Sequence, residues 1–380
     1  MTSFKKVIVT GATGQDGSYM IEYLLKNTDN TIVAAVRRTS QAILNNLKHV
    51  IDNPRVKFVT VDLCDGEAVR GLVRDEKPDY FINFGAQSFV ADSWKNPTSH
   101  MQTNAISLIH ILEAIREYVP ACRFYSAGSS EQWGDVKYSP QDEKHPMSPR
   151  SIYGVSKCAA SHIVKIYRES YNLYAIHGIL LNHESERRQE YFLTRKVTKG
   201  VARIKNAIAF GKAFEPIELG NIDAYRDWSH AEDFVLGVWM MLNQEDYRQD
   251  LQPELYREGS YNKALIAPLK EYVLASNETH TVREFIEKAF SAAGIKGVWW
   301  KGLDGKPESE EYLLSGDGLV ATKSKVTLVK INPKFYRPAD VELLHGSSSL
   351  VRKELGWAPK NSFDDLVSRM VKHDLSEVGL

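Results

Sequence analysis

Cysteine is scarce in this sequence. Cys64, Cys122 and Cys158 stand far apart with no CxxC pair, which excludes a disulfide-stapled fold and a cysteine-based zinc site and points to a reduced, cytoplasmic setting. Net charge is missing as well. With 48 Lys plus Arg against 48 Asp plus Glu, no global field draws the chain to nucleic acid or an anionic membrane, so an anionic ligand must meet a specific site. Long apolar runs are also absent: a stretch such as 234–242 reaches about half of the roughly 20 residues a membrane-spanning helix needs. Lys5 and Lys6 lead straight into a β-branched run and a glycine turn, and no signal peptide is expected there. There is no internal repeat, low-complexity segment or metal constellation. What is present is a globular composition over 380 residues, enough for two or three domains or for one large α/β unit with a second lobe.

Short apolar runs at 7–9, 32–36, 56–61, 80–83, 123–126 and 175–181 read as strands. Between them, 16–26, 39–50, 66–75, 104–117 and 156–170 carry helical spacing of apolar residues. Strands alternating with helices predict a doubly wound parallel sheet covered on both faces. Beyond about residue 181 the order loosens. An arginine-rich stretch at 183–195 and a charged loop at 244–270 follow, and two short β-rich pieces, 218–219 and 272–274, either return to the first domain or belong to a second lobe. The expected division is 1–183 as a dinucleotide-binding domain, with segments near 217–243 and 271–276 as candidates to rejoin it. Residues 184–380 then form mainly a smaller mixed α/β substrate lobe. A Gly-Trp-x-Pro turn precedes a C-terminal amphipathic helix with Phe363, Leu366, Val367, Met370 and Val371 on its apolar side.

The first strand runs into Thr10-Gly11-Ala12-Thr13-Gly14-Gln15-Asp16-Gly17. Glycines let the backbone turn tightly and approach a pyrophosphate, whose charge the following helix N-terminus attracts. The spacing Gly-x-x-Gly-x-x-Gly is that of the short-chain dehydrogenase type of Rossmann domain, so Gly11, Thr13, Gly14, Gln15, Asp16 and Gly17 are candidate cofactor residues. Where an NAD enzyme places a carboxylate on the ribose, this chain reads Arg37-Arg38-Thr39-Ser40. Two guanidiniums and two hydroxyls suit a 2′-phosphate, which favours NADP. Asp62 and Leu63 are placed at the adenine, and Phe84, Gly85, Ala86, Gln87 and Ser88 along the cofactor's path.

Tyr153 and Lys157 lie four apart, on one face of a helix. A free tyrosine titrates near 10, so acting as a base near neutral pH requires stabilising the phenolate by roughly 4 kcal/mol. A neighbouring ammonium and a nicotinamide cation supply much of that. Residues 126–134 leave the fifth strand at the sheet's carboxyl edge, where open α/β folds bind ligands. There Ser129 can orient a substrate hydroxyl, and Glu131 can take or give a proton.

With these motifs in place the chain resembles the extended short-chain dehydrogenase family and, more narrowly, its GDP-mannose 4,6-dehydratase branch. The resemblance runs through TGATGQDGSYM, VRRTS, FYSAGSSEQWG, SIYGVSK, ILLNHESERR, FLTRK, LGNIDAYRDWSHAEDF, YRPADVELLHG and LGWAPK. It implies a redox-neutral lyase. Tyr153 with Lys157 would remove the C4 hydroxyl proton and Glu131 the C5 proton. Water would leave from C6, and a hydride would pass from C4 to NADP and back to C6. It further implies that His183 and Arg188 join Arg37 and Arg38 on NADP. Ser88, Ser129, Ser130, Glu131, Asn182, Lys196, Leu219, Gly220, Arg226, Arg337 and Glu342 would meet a GDP-sugar, and the chain would form a homodimer or homotetramer in which 37–46 reaches a neighbouring subunit. Three positions depart from the family pattern: Ser129 replaces a usual Thr, Ser99 a usual Tyr and Ser229 a usual Gly. A related GDP-sugar such as a GDP-heptose, a net NADPH-dependent reduction, or a non-catalytic NADP-binding role are the alternatives.

Overall fold

Each apolar run of the first half becomes one parallel strand. In the computed structural model, which describes residues 5–37, 41–244, 269–303, 305–315, 325–336 and 341–380 (backbone alone for 41–44), the chain opens with β1 (Lys6–Thr10), α1 (Gln15–Asn27), β2 (Thr31–Val36) and a 3-10 stretch Gln41–Val50. It continues with β3 (Val56–Thr60), α2 (Gly66–Glu76), β4 (Tyr80–Asn83), α3 (Pro97–Met101), α4 (Ser107–Tyr118), β5 (Arg123–Ala127), α5 (Ile152–Tyr171) and β6 (Ala175–Leu180). Next come β7 (Asn182–Glu184), α6 (Leu193–Ala209), β8 (Ile217–Leu219), β9 (Tyr225–Arg226), β10 (Trp228–His230), α7 (Ala231–Leu242) and β11 (Val273–Leu274). The remaining elements are β12 (His280–Thr281), α8 (Val282–Ala292), β13 (Gly297–Trp300), β14 (Glu311–Leu314), β15 (Thr327–Ile331), α9 (Ser349–Leu355) and α10 (Phe363–Glu377).

Two compact units share these elements. The first takes 1–181, 231–277 and 346–359, and the second 182–230, 278–345 and 360–380. In the first unit seven parallel strands run in the order β11-β6-β5-β4-β1-β2-β3. Strands β4 and β6 are buried along their whole length, as befits a sheet with helices on both faces. Strand order reverses between β1 and β4, so the carboxyl ends of these two strands form the switch point where such sheets bind ligands. Trp357 closes this unit from far along the chain: it is buried edge-on to Phe234 and donates from Nε1 to the Asp233 carbonyl, 2.7 Å away.

The helix expected over 104–117 starts earlier. Pro97 occupies the first turn of α3, where its missing N–H costs nothing, and a π turn, Gln102–Ile106, joins α3 to α4 and buries Asn104 and Ala105. Helix α5 likewise starts at Ile152, four residues before the expected onset, because Ser151 caps it by accepting from Gly154 N at 3.0 Å.

In the second unit β13-β14-β15-β8 make a four-stranded sheet, with β8 parallel to β15 and the rest antiparallel. Helices α6, α8 and α10 contribute Val197, Val201, Phe285, Phe290, Leu366 and Met370 to its core. The apolar positions expected on the C-terminal helix are all buried, and Ser362 with Asp365 forms its capping box. Of the two short β pieces, 217–219 lies in this sheet whereas Val273–Leu274 lies at the edge of the seven-stranded one. Buried Arg195 pairs with buried Asp374 across α6 and α10. Among the described residues no helix is long and apolar enough to cross a membrane.

Candidate active site

At the end of β1 the chain doubles back on itself. Gly11 has φ +63°, and a Cβ there would lie 2.8 Å from the backbone of Phe84; a Cβ on Gly17 would lie 2.3 Å from the Gly11 carbonyl. Only glycine fits either position. Gly14 caps α1 without a side-chain hydrogen bond, and the N-terminus of such a helix attracts an anion. Thr10 ties the two switch-point strands, donating to Asn83 Oδ1 at 2.5 Å and accepting from Gly85 N at 3.0 Å. Asn46 Nδ2 holds the turn by donating to the Thr13 carbonyl at 3.0 Å. Gln15 is buried and bonds Asp16. This cradle, shaped so that side chains would fill it, fits a dinucleotide pyrophosphate.

Other expected cofactor residues surround the same strand ends. Arg37 is exposed at the end of β2, while Arg38, Thr39 and Ser40 lie outside the described residues. Leu63 is buried beside Gly85, and Asp62 accepts from Cys64 N. Phe84, Gly85, Ala86 and Gln87 are half-buried after β4, and Ser88 is exposed. Asn104 pins this stretch: it accepts from Gln87 N at 2.8 Å, donates to the Gln87 carbonyl at 3.0 Å and donates to Ser156 Oγ at 3.0 Å.

Tyr153 and Lys157 share one face of α5 and are both buried. Lys157 Nζ donates to the Ala127 carbonyl at 2.7 Å and lies 5.8 Å from the Tyr153 ring centre. Burial lowers the ammonium's pKa to about 8, with the Asp16 carboxylate pulling the other way. After β5, Ser129 Oγ caps a single 3-10 turn by accepting from Glu131 N at 3.3 Å; Ser130 is buried and Glu131 half-buried. Gly154 lets α5 approach this turn, since a Cβ there would lie 2.6 Å from the Glu131 carbonyl oxygen. The structure therefore brings Ser129, Glu131, Tyr153 and Lys157 to one strand end.

The remaining expected residues belong to the second unit. Asn182 and His183, half-buried on β7, pair in register with Trp228 and Ser229 of β10. Arg188 pairs with Glu184 at 3.1 Å and stacks 3.6 Å over Phe192. Lys196 donates to the Glu218 carbonyl at 2.6 Å over the ring of Phe335, and burial lowers its pKa. Buried Leu219 leads to Gly220, whose Cβ would lie 2.6 Å from the Phe335 carbonyl. Buried Arg226 donates to the Tyr225 carbonyl at 2.8 Å, and Glu342 is exposed, its own carbonyl accepting from Tyr225 N. Arg337 lies outside the described residues. Sequence reading missed Thr10, Asn46, Asn104 and Gly154, whose work depends on partners 17 to 75 positions away, with a π turn directing Asn104.

Fold and site together define an extended short-chain dehydrogenase built on a Rossmann sheet. The fold is shared with a dTDP-glucose 4,6-dehydratase from Streptomyces venezuelae, at TM-score 0.72 and 18% identity over 97% of this chain and 96% of that one. A UDP-glucose 4-epimerase from Thermotoga maritima gives TM-score 0.72 and 18% identity over 98% and 99%. Sequence narrows the class: the family model for GDP-mannose 4,6 dehydratase matches residues 8–252 and 261–370. The GDP-mannose 4,6 dehydratase of Drosophila melanogaster is 39% identical over 98% of this chain and 86% of its own, and that of Homo sapiens 35% over 97% and 91%. The chain belongs to the GDP-mannose 4,6-dehydratase family.

Proposed function

We propose that the chain converts GDP-mannose to GDP-4-keto-6-deoxy-mannose by a redox-neutral loss of water. The observation that carries this reading is the joint placement of the Tyr153–Lys157 pair and Glu131, with Gly154 allowing their backbones to touch. NADP would be held at the Gly11–Gly14–Gly17 turn and by Arg37, Arg38, Thr39 and Ser40 with His183 and Arg188, and when bound would supply a hydride acceptor for C4 and a hydride donor for C6.

Tyr153 takes the C4 hydroxyl proton as phenolate, and Lys157, still charged below about pH 8, stabilises that anion. Ser129 orients the same hydroxyl. Once C4 is a ketone, the C5 proton is acidified, and Glu131 removes it as a general base. The proton then leaves Glu131 for the C6 hydroxyl, which departs as water, so the carboxylate is restored; once C6 has gained a hydride, C5 takes up a solvent proton and the Tyr153 phenol gives its own up to solvent, which completes the balance. Lys196 and Arg226 supply cations for the GDP diphosphate. Asn182, Leu219, Gly220, Arg337 and Glu342 complete the proposed sugar-nucleotide site. A homodimer or homotetramer is proposed from the family resemblance, and light scattering that gave a stable 43.0 kDa particle at full activity would overturn it.

Mass spectrometry of GDP-mannose incubated in deuterated water with the protein and trace NADP+ tests the reaction. Loss of water with a deuterium retained at C5, over many turnovers per cofactor, is expected. Product formed only in proportion to added NADPH would mark a reductase instead, and unchanged GDP-mannose would rule out this substrate.

A further inference from the structure

His177 lies within β6, completely buried, and hydrogen-bonds on both sides of its ring. Nδ1 is 3.2 Å from Ser126 Oγ at the end of β5, and Nε2 is 3.2 Å from Oε1 of Gln132, the residue after Glu131. A hydroxyl donating to Nδ1 and an amide oxygen accepting from Nε2–H select one neutral tautomer. Burial, then the charge of Lys157, lowers the ring's pKa to about 3, so both bonds persist at any working pH. Gly128 records the same fit: a Cβ there would sit 2.5 Å from His177 Nε2.

Gln132 is itself fully buried, and its carbonyl accepts from Cys158 Sγ on α5 at 3.3 Å. It is thus fastened to β6 by its side chain and to α5 by its backbone. A lone 3-10 turn has little stability of its own, and the Ser129 cap is long at 3.3 Å. These anchors on Gln132 therefore do much to fix where its neighbour Glu131 projects.

We infer that His177 is a positioning residue which, through Gln132, sets the Glu131 carboxylate for proton removal at C5, separately from the Tyr153–Lys157 step. The inference rests on the proposed role of Glu131. The test compares holoenzymes carrying Glu131→Gln, Gln132→Leu, His177→Leu and the last two together. NADPH absorbance in the first turnover reads C4 oxidation, and deuterium uptake at C5 reads the Glu131 step. In Gln132→Leu and His177→Leu, C5 exchange is expected to fall about 10- to 100-fold, with KM and C4 oxidation changed less than about twofold. The double variant should be no slower than the worse single, because both lose one bridge. Unchanged C5 exchange in folded Gln132→Leu would overturn the inference, as would an equal fall in both steps, which marks a merely structural role. If His177→Leu does not fold, Gln132→Leu decides alone. Glu131→Gln that retained C5 exchange would instead remove the base assignment itself, whatever the His177 variants did.

Discussion

Replacing Gly154 by alanine sets two effects against each other. Helix propensity alone makes Gly→Ala stabilising by about 0.5–1 kcal/mol. At this position the added methyl would stand 2.6 Å from the Glu131 carbonyl oxygen and 2.9 Å from the Pro149 Cβ, where an ordinary contact begins at 3.4 Å. Backbone must therefore yield by about 0.8 Å, and overpacking of that kind costs about 1–3 kcal/mol. The packing effect wins, with a net loss of up to about 2 kcal/mol, equivalent to several degrees in Tm. Because the displaced backbone carries Glu131, kcat should fall by roughly 10² while KM changes little. Gly71→Ala is the internal control. It also lies in a helix, but its Cβ would meet nothing nearer than the flexible end of Arg74 at 3.9 Å, so it should stabilise the protein and leave turnover alone. Thermal melts and steady-state kinetics on both variants read the outcome. A Gly154→Ala protein as stable and as active as Gly71→Ala would refute the close approach of α5 to the turn that carries Glu131.

Lys157 yields a paired prediction for pH. Its ammonium titrates near about 8 in the folded protein against an ordinary 10.5. Between those values the unfolded chain binds the extra proton, so this group's contribution to stability rises with pH across that window, while activity that needs the ammonium falls. Asp16→Asn removes the carboxylate that raises the ammonium's pKa, so the alkaline limb of kcat/KM should move to lower pH; an unmoved limb would detach it from Lys157. Ser151→Ala deletes the cap of α5 and should cost about 1 kcal/mol in denaturant unfolding, with Ser151→Thr retaining most of it. Asp374→Ala removes the buried partner of Arg195 and leaves it the more exposed Glu377 at 3.7 Å, so the loss should be somewhat below the roughly 3–5 kcal/mol of a fully broken buried pair, measured by calorimetry; a loss below about 1 kcal/mol would show that the pair is not dry.

Local chemistry explains what could be read in advance. A glycine turn between a β-branched run and an amphipathic helix, and a tyrosine four residues before a lysine, carry their meaning within a dozen residues. The six long strands also announce themselves by their apolar runs. The short pieces do not: those read at 218–219 and 272–274 look alike in sequence and end in different sheets, because such short strands are decided by their neighbours alone. Asn104 falls inside a helical pattern, and only the π turn directs it toward Gln87 and Ser156. His177 reads as one more residue of a buried strand until Gln132 is brought beside it. Arg195, beside the expected ligand Lys196, turns inward to Asp374 instead. Alternate partners of that kind are invisible without the fold.

The interleaving of the two units has a consequence for the chain as it leaves the ribosome. Residues 346–359 belong to the first unit, and Trp357 fills a buried position against Phe234, far along the chain from the last of the six long strands. The first unit therefore cannot complete its core until Trp357 has emerged, although all six of its long strands precede it by far. Folding from the N-terminus, the usual protection of multidomain proteins during translation, is withheld until that segment is made. A chain cut short before Trp357 would thus leave both halves unfinished, not one whole half and one missing one.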